Sequence, residues 1–183
     1  MARLNIESSR LYALNWNVEM TPYLDLIEQD PGFKSYCYPP SYDFSNHELK
    51  MKFILNKINL QNTHGSCKNP VFTKSGDEFI GLIGLEPFKF ENNDYFEIGF
   101  RLLEKYWGNG YALEFTKALL DEFKLRRPEV SISALAHIGN FTSQKCLNKL
   151  GFKPVKEFLH NEEIHIWYSL KNKIEEVLYP IVD

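Results

Sequence analysis

Basic charge is scarce in this chain of 183 residues: 21 Lys and Arg face 24 Asp and Glu, for a formal charge of −3 and a pI near 6.0. Neither sign dominates the first part, since residues 1–70 carry seven of each. Domains that bind nucleic acid concentrate positive charge, because neutralising phosphates drives their affinity, and no such surface is expected here. Cysteine is scarce too. Cys37, Cys67 and Cys146 form no CxxC pair and no zinc-like spacing, so they read as reduced thiols in a cytoplasmic protein. Long apolar runs are missing: the longest, residues 79–85, falls far short of the ~20 residues of a membrane helix. The opening Met1-Ala2-Arg3-Leu4-Asn5-Ile6-Glu7 is too polar for a secretory signal core. Repeats, low-complexity tracts and Ser/Gly linkers are also lacking. What remains is an apolar share of 44%, enough at this length for one core without staples. A single domain over 1–183 is expected, with its core at about 8–172 and a tail at 173–183.

Alternation over residues 10–16 predicts a first strand. Thr21-Pro22 supplies an N-cap and a proline at the first helical position, so a helix runs to about Gln29 before Pro31-Gly32. The aromatic stretch 33–44 reads as an ordered loop. Ser45-Asn46-His47-Glu48 has capping-box spacing and opens a helix to about Asn59, with a polar loop over 61–69. Strands at 71–73 and 78–87 flank the turn Lys74-Ser75-Gly76-Asp77, and Glu91-Asn92-Asn93-Asp94 turns into a strand over 95–103. Ala112, Phe115, Leu119 and Phe123 line one helical face, which Arg126-Arg127-Pro128 ends. Residues 130–136 read as a buried strand, Asn140 opens a short helix to Leu150-Gly151, and 164–170 form the last strand. The order β-α-α-β-β-β-α-β-α-β predicts a mixed α/β fold.

The chemistry gathers between Glu97 and Ala112, where a strand gives way to a turn with two glycines and then to an amphipathic helix. Glycine lets the backbone turn tightly and approach a ligand, and unpaired amides at a helix N-terminus attract anions. Lys105 to Ala112 can therefore form a phosphate site or a plain structural turn. It is no P-loop, because Tyr111-Ala112 stand where Lys and Ser/Thr would follow the last glycine. A dinucleotide fingerprint would need a third glycine where Leu113 stands. A nucleotide-binding protein is thereby the weaker reading.

Gly108-Asn109-Gly110-Tyr111-Ala112, preceded by Lys105, resembles the acyl-CoA loop of the GNAT N-acetyltransferase family, Gln/Arg-x-x-Gly-x-Gly/Ala. With Trp107 in front, it is most similar to the branch of the ribosomal-protein alanine N-terminal acetyltransferases. The stretch from His137 to Phe152, with Asn140, Ser143 and Lys149-Leu150-Gly151-Phe152, resembles that branch's Asn-x-x-Ser…Lys-Leu-Gly-Phe helix. The element order from Arg10 to Leu170 fits as well. The resemblance implies a GNAT fold, a central mixed sheet flanked by helices, with acetyl-CoA in a cleft where two neighbouring central strands splay apart. The pantetheine would pair with the strand through Phe100, Arg101 and Leu102. The pyrophosphate would rest on Lys105, Tyr106, Trp107, Gly108, Asn109, Gly110, Tyr111 and Ala112. Asn140 and Ser143 would touch the cofactor from the second motif, although an ordinary helix N-cap also accounts for Asn140.

Acetyl transfer requires a neutral amine, a polarised thioester and a proton for the departing thiolate. A lysine-type amine has a pKa near ~10.4, so its deprotonation must be assisted. By resemblance Glu97 is the candidate general base, set against a merely solvated strand glutamate. Ser143, three residues after Asn140, is the candidate acid, with Tyr106 and Tyr111 in reserve. Many family members carry a tyrosine seven residues after that asparagine; Leu147 stands there, which keeps open a non-catalytic acyl-CoA-binding module. Lys105 for Gln/Arg and Ile138-Gly139 for Pro-Asp/Glu are smaller departures. His137, His160 and His165 lack a carboxylate or cysteine at ligand spacing, so packing or polar roles are expected, with no metal or redox cofactor. Phe33, Tyr36, Tyr38, Tyr42 and Phe44 either line the acceptor side or pin a loop by burial, and Glu86, Glu91 and Asp94 are candidates to attract a cationic amine. The expected activity is transfer from acetyl-CoA to a primary amine, a protein N-terminus or a small molecule, in a ternary complex. A monomer or a homodimer joined near the C-terminal edge strand is expected.

Overall fold

The computed structural model describes residues 6–35, 43–90, 93–160 and 163–170. Tyr36, Cys37, Tyr38 and Tyr42 of the aromatic stretch, Glu91 and Asn92 of the second turn, and the tail 173–183 lie outside the described residues. Among the described residues, β1 (Leu11–Ala13), β2 (Lys68–Thr73), β3 (Phe79–Phe90), β4 (Asn93–Leu102), β5 (Ile132–His137), β6 (Lys153–His160) and β7 (Glu163–Leu170) form one sheet. The strand order is β1-β2-β3-β4-β5-β7-β6. Every neighbouring pair is antiparallel except β4 and β5. A parallel pair needs a crossover, and α4 (Tyr111–Arg126) supplies it. The mixed α/β class read from the element order is the observed one.

The apolar stripe of α4 buries Phe115, Leu119, Leu120 and Phe123, with the Phe123 ring 5.0 Å from Phe96 of β4. On the opposite face, Lys57 of α3 (His47–His64) reaches Glu86 of β3. Glu86 pairs in register with Glu97, the residue next to Phe96, so strand alternation puts α3 and α4 on opposite sides of the sheet. α1 (Thr21–Gln29) buries Leu24 and Ile27 and sets Tyr23 against Phe72 and Phe79. Asp30 ends α1 and caps α2 (Pro31–Lys34), accepting the Phe33 N–H at 2.6 Å. Proline at the first position of α2 costs nothing, because that amide has no helical partner.

Three expectations need correction. Pro31–Lys34 forms α2, where a helix end and the start of a loop are expected. α3 continues through the polar residues Gln61, Asn62 and Thr63 to His64, where the expected loop was placed. The stop is Gly65, at φ 73, whose N–H bonds the Gln61 carbonyl; a solvated last turn hides the helix from an apolar pattern. Residues 153–160, given no element in the sequence reading, form the edge strand β6. Pro154 sits at a register shift on that edge, and Val155 and Leu159 are exposed, so the usual alternation is lost.

The feature that positions a site is the short contact between β4 and β5. They pair at Phe96–Ile132 and Glu97–Ser133 and then separate, while β4 continues to Leu102 and β5 to His137. α4 begins beyond the end of one arm, and α5 (Phe141–Lys149) beyond the end of the other.

Candidate functional site

The β4 arm leads through the 3-10 turn Glu104–Tyr106 into the glycine turn. Gly108 and Gly110 both take φ 76, the left-handed region that glycine enters without strain. A Cβ on Gly108 would meet nothing within 4 Å, so the backbone angle, not crowding, calls for glycine there. The half-exposed Trp107 anchors the turn, its indole N–H donating to the Leu102 carbonyl at 2.8 Å. Asn109 closes it, donating from Nδ2 to the Trp107 carbonyl at 3.1 Å. Gly110 opens α4 without a side-chain cap, and the first helical bond runs from the Glu114 N–H to the Gly110 carbonyl. The amides of Tyr111 and Ala112 therefore begin a helix with no intrahelical acceptor, the arrangement that suits an anion.

The β4 edge facing β5 carries the second part of the site. The Phe96 N–H bonds the Ser131 carbonyl, so alternation turns the peptide groups of Phe100 and the Leu102 N–H toward the side that β5 has left. Their side chains point elsewhere in function. Leu102 is buried, and the Arg101 guanidinium donates to the Phe33 carbonyl at 3.2 Å; its burial pulls its pKa down to about 10. An extended ligand with amide groups would find backbone partners along this arm. Lys105 lies with its ammonium 4.7 Å from the centre of the Tyr106 ring, and both residues border an open depression of about 380 Å³ with Asp30 and Leu103.

On the β5 arm, Asn140 Oδ1 caps α5 by accepting the Ser143 N–H at 3.0 Å. Ser143 is half-buried in that first turn, and Leu147 is fully inside the core. His137 has a carboxylate partner, although none stands at ligand spacing from it in the sequence. Its Nε2 contacts Glu163 from β7, and its Nδ1 accepts the Gly139 N–H at 3.0 Å. The β5–β7 register, with His137 opposite His165, brings this partner in. The two imidazoles meet edge-on at 5.5 Å.

Glu97 stands at the last paired position before the arms separate, with its side chain 18% exposed. It is no solvated glutamate: Lys68 Nζ lies 3.0 Å from its Oε2 and 3.7 Å from Glu86 Oε2. Glu86 also accepts the Lys68 backbone N–H at 2.9 Å and meets the buried Lys57 ammonium. Burial pushes the Glu86 carboxyl up, and Lys68 with Lys57 more than reverse this, holding it below the ordinary carboxylate range. Glu86 is thus engaged by two lysines. Two glycines open the path for Lys68. A Cβ at Gly84 would lie 1.9 Å from the Cys67 carbonyl oxygen, and one at Gly99 would lie 2.2 Å from Lys68 Cε. Sequence spacing gave no sign of Lys68, Lys57, Arg10 or Glu114, because their partners lie 18 to 106 positions away along the chain. Among the described residues no group of three or more His, Cys, Asp or Glu could hold a metal ion, and no helix is long and apolar enough to cross a membrane.

Comparison with known proteins agrees with this geometry. The family model described as an acetyltransferase (GNAT) domain matches residues 11–153. An uncharacterized protein of Bacillus subtilis (strain 168), YkkB, is 37% identical over 78 residues, which is 43% of this chain and 45% of that protein. The chain thus aligns with less than half the length of that relative. An uncharacterized N-acetyltransferase of Bacillus licheniformis, p20, is 26% identical over 150 residues, 80% of each chain. Among solved structures, the ribosomal L7/L12 alpha-N-protein acetyltransferase RimL, in complex with coenzyme A, superposes with a TM-score of 0.72. It covers 88% of this chain and 94% of its own at 16% identity, a likeness of fold. With the domain model spanning the sheet from β1 to the start of β6 and both arms of the cleft, this chain belongs to the GNAT acetyltransferase family.

Proposed function

We propose that the chain is an N-acetyltransferase that moves the acetyl group of acetyl-CoA directly to a primary amine in a ternary complex. The observation that carries this reading is the parting of β4 from β5 beside an uncapped, glycine-opened helix. Backbone groups of Phe100 and Leu102 would hold the pantetheine amides. The amides from Gly108 to Ala112 would hold the pyrophosphate, and Asn140 would add a side-chain contact. The acceptor, a protein N-terminus or a small amine, would enter beside Glu97. Its nitrogen bonds the thioester carbon, the carbon–sulfur bond breaks, the amine proton goes to Glu97 and from there to solvent, and Ser143 supplies a proton to the departing sulfur while taking one from water. Lys68 lies between Glu97 and Glu86, so its charge keeps a carboxylate partner when Glu97 is protonated. In this reading one domain over 1–183 works in the cytoplasm, as a monomer or homodimer, without nucleic acid.

Buried Leu147 favours a second reading, an acyl-CoA-binding module without turnover. Thiol release from acetyl-CoA, followed over a panel of peptides and small amines, separates the two. Release that depends on one class of amine supports the enzyme and names its acceptor. Binding of acetyl-CoA with no release across the panel favours the module.

A further inference from the structure

Arg10 precedes β1 and lies 99 residues from Asn109 in sequence, yet its side chain wraps the start of α4. Its Nε–H donates to Glu114 Oε2 at 2.6 Å, and Nη2 donates to the Asn109 carbonyl at 3.0 Å. The guanidinium carbon lies 4.4 Å from the centre of the Tyr111 ring. Nη2 is also the atom nearest to where a Cβ on Gly110 would stand, at 3.8 Å. One guanidinium therefore holds the turn at Asn109 and the first helical residue at Tyr111, on either side of Gly110. Glu114 is itself fixed, since its Oε1 accepts the Ser8 hydroxyl at 2.6 Å and the Arg10 backbone N–H at 2.8 Å.

The turn needs such a clamp. Gly108 and Gly110 add no side chain that would fix the backbone of the turn, and α4 has no side-chain cap. A trans peptide is planar, with its carbonyl and N–H on opposite sides. Holding the Asn109 carbonyl toward Arg10 therefore aims the Gly110 N–H away from Arg10. The Glu114 carboxylate balances the guanidinium charge, so this role is geometric and not that of a bare cation. An exposed pair of this kind adds little to stability, so its effect belongs in ligand binding.

We infer that Arg10 is a positioning residue of the donor site, which by gripping the Asn109 carbonyl aims the amides of the glycine turn at the phosphates of an acyl-CoA. The inference rests on the donor-site reading above. A lysine at this position could not replace it, because one ammonium lacks the planar fork that serves Glu114 and Asn109 together.

The test is calorimetric titration of the wild type, Arg10→Ala and Arg10→Lys with CoA and, at millimolar concentration, with pantetheine, which lacks the phosphates. Arg10→Ala is expected to bind CoA about tenfold more weakly or worse, the loss of a charge-assisted hydrogen bond, with little recovery in Arg10→Lys. Pantetheine is expected to bind all three alike. Unchanged CoA affinity in a folded Arg10→Ala overturns the inference, and so does an equal loss for pantetheine, which would mark general damage. If circular dichroism shows Arg10→Ala unfolded, Glu114→Ala removes the acceptor that holds the same guanidinium and is read in the same way. A wild type that binds no CoA removes the donor-site reading and this inference together, whereas wild-type binding with unchanged variants removes the inference alone.

Discussion

Lys68 spans two carboxylates that the β3–β4 register sets face to face, Glu86 and Glu97. Like charges opposite each other on a sheet repel, and a shared ammonium converts the repulsion into a chain of ion pairs. Lys57 completes the balance from α3. In the proposed mechanism Glu97 is the member that exchanges a proton, so Glu97→Gln keeps the shape and removes the base. Turnover with the best amine is expected to fall by about 10²–10⁴-fold, the usual contribution of general base catalysis, while the melting temperature stays close to wild type. Turnover within a factor of two, at equal stability, would remove Glu97 from the role. None of this network was legible in the sequence. Lys68 and Glu97 are 29 positions apart, Arg10 and Glu114 are 104, and neither spacing has a local period to betray it. The residues of the glycine turn and of the Asn140–Ser143 cap were legible because each acts within a few positions of itself.

At the scale of elements, the sheet shows which signals a chain writes locally. The strand before the glycine turn, the helix after it and the α5 cap were all read from short patterns. β6 was missed because an edge strand with Pro154 and exposed Val155 has no buried face to alternate, and α3 was cut short because its last turn is polar. The two glycines over which Lys68 passes give a sharp contrast. The Cβ of Gly84→Ala would strike backbone of the neighbouring strand, whereas that of Gly99→Ala would strike only the far end of the flexible Lys68 side chain. Gly84→Ala is therefore expected to destabilise at or beyond the ~1–3 kcal/mol usual for overpacking, and Gly99→Ala by much less. Thermal melts followed by circular dichroism compare them directly. Equal losses would mean that the strand beside Gly84 yields to the added methyl group. Gly99→Ala is further expected to displace Lys68 and lower turnover, which tests the ion pair without removing a charge.

For the whole molecule, the buried charge on the α3 side of the sheet ties folding to pH. Burial acting alone would raise the Glu86 pKa; Lys68 and Lys57 outweigh it, so the folded value is held below that of an ordinary glutamate. A depressed carboxylate stabilises the fold above the unfolded value, and that contribution is lost as pH falls through the folded value. The wild-type melting temperature is expected to decline from about pH 5 to about pH 3, and the decline should be shallower in Glu86→Gln. Parallel curves would show that other groups set the acid limit.

The layout of the sheet makes sense of the same network at full scale: two strand arms part beyond one ion-paired glutamate, and each arm ends at a helix N-terminus. The proposed activity depends on acetyl-CoA entering that gap. Calorimetric titration of the wild-type chain with acetyl-CoA tests this most directly. Saturable binding of one acetyl-CoA per chain is expected, competed by CoA and not by ATP. Absence of binding, or equal competition by ATP, would contradict it.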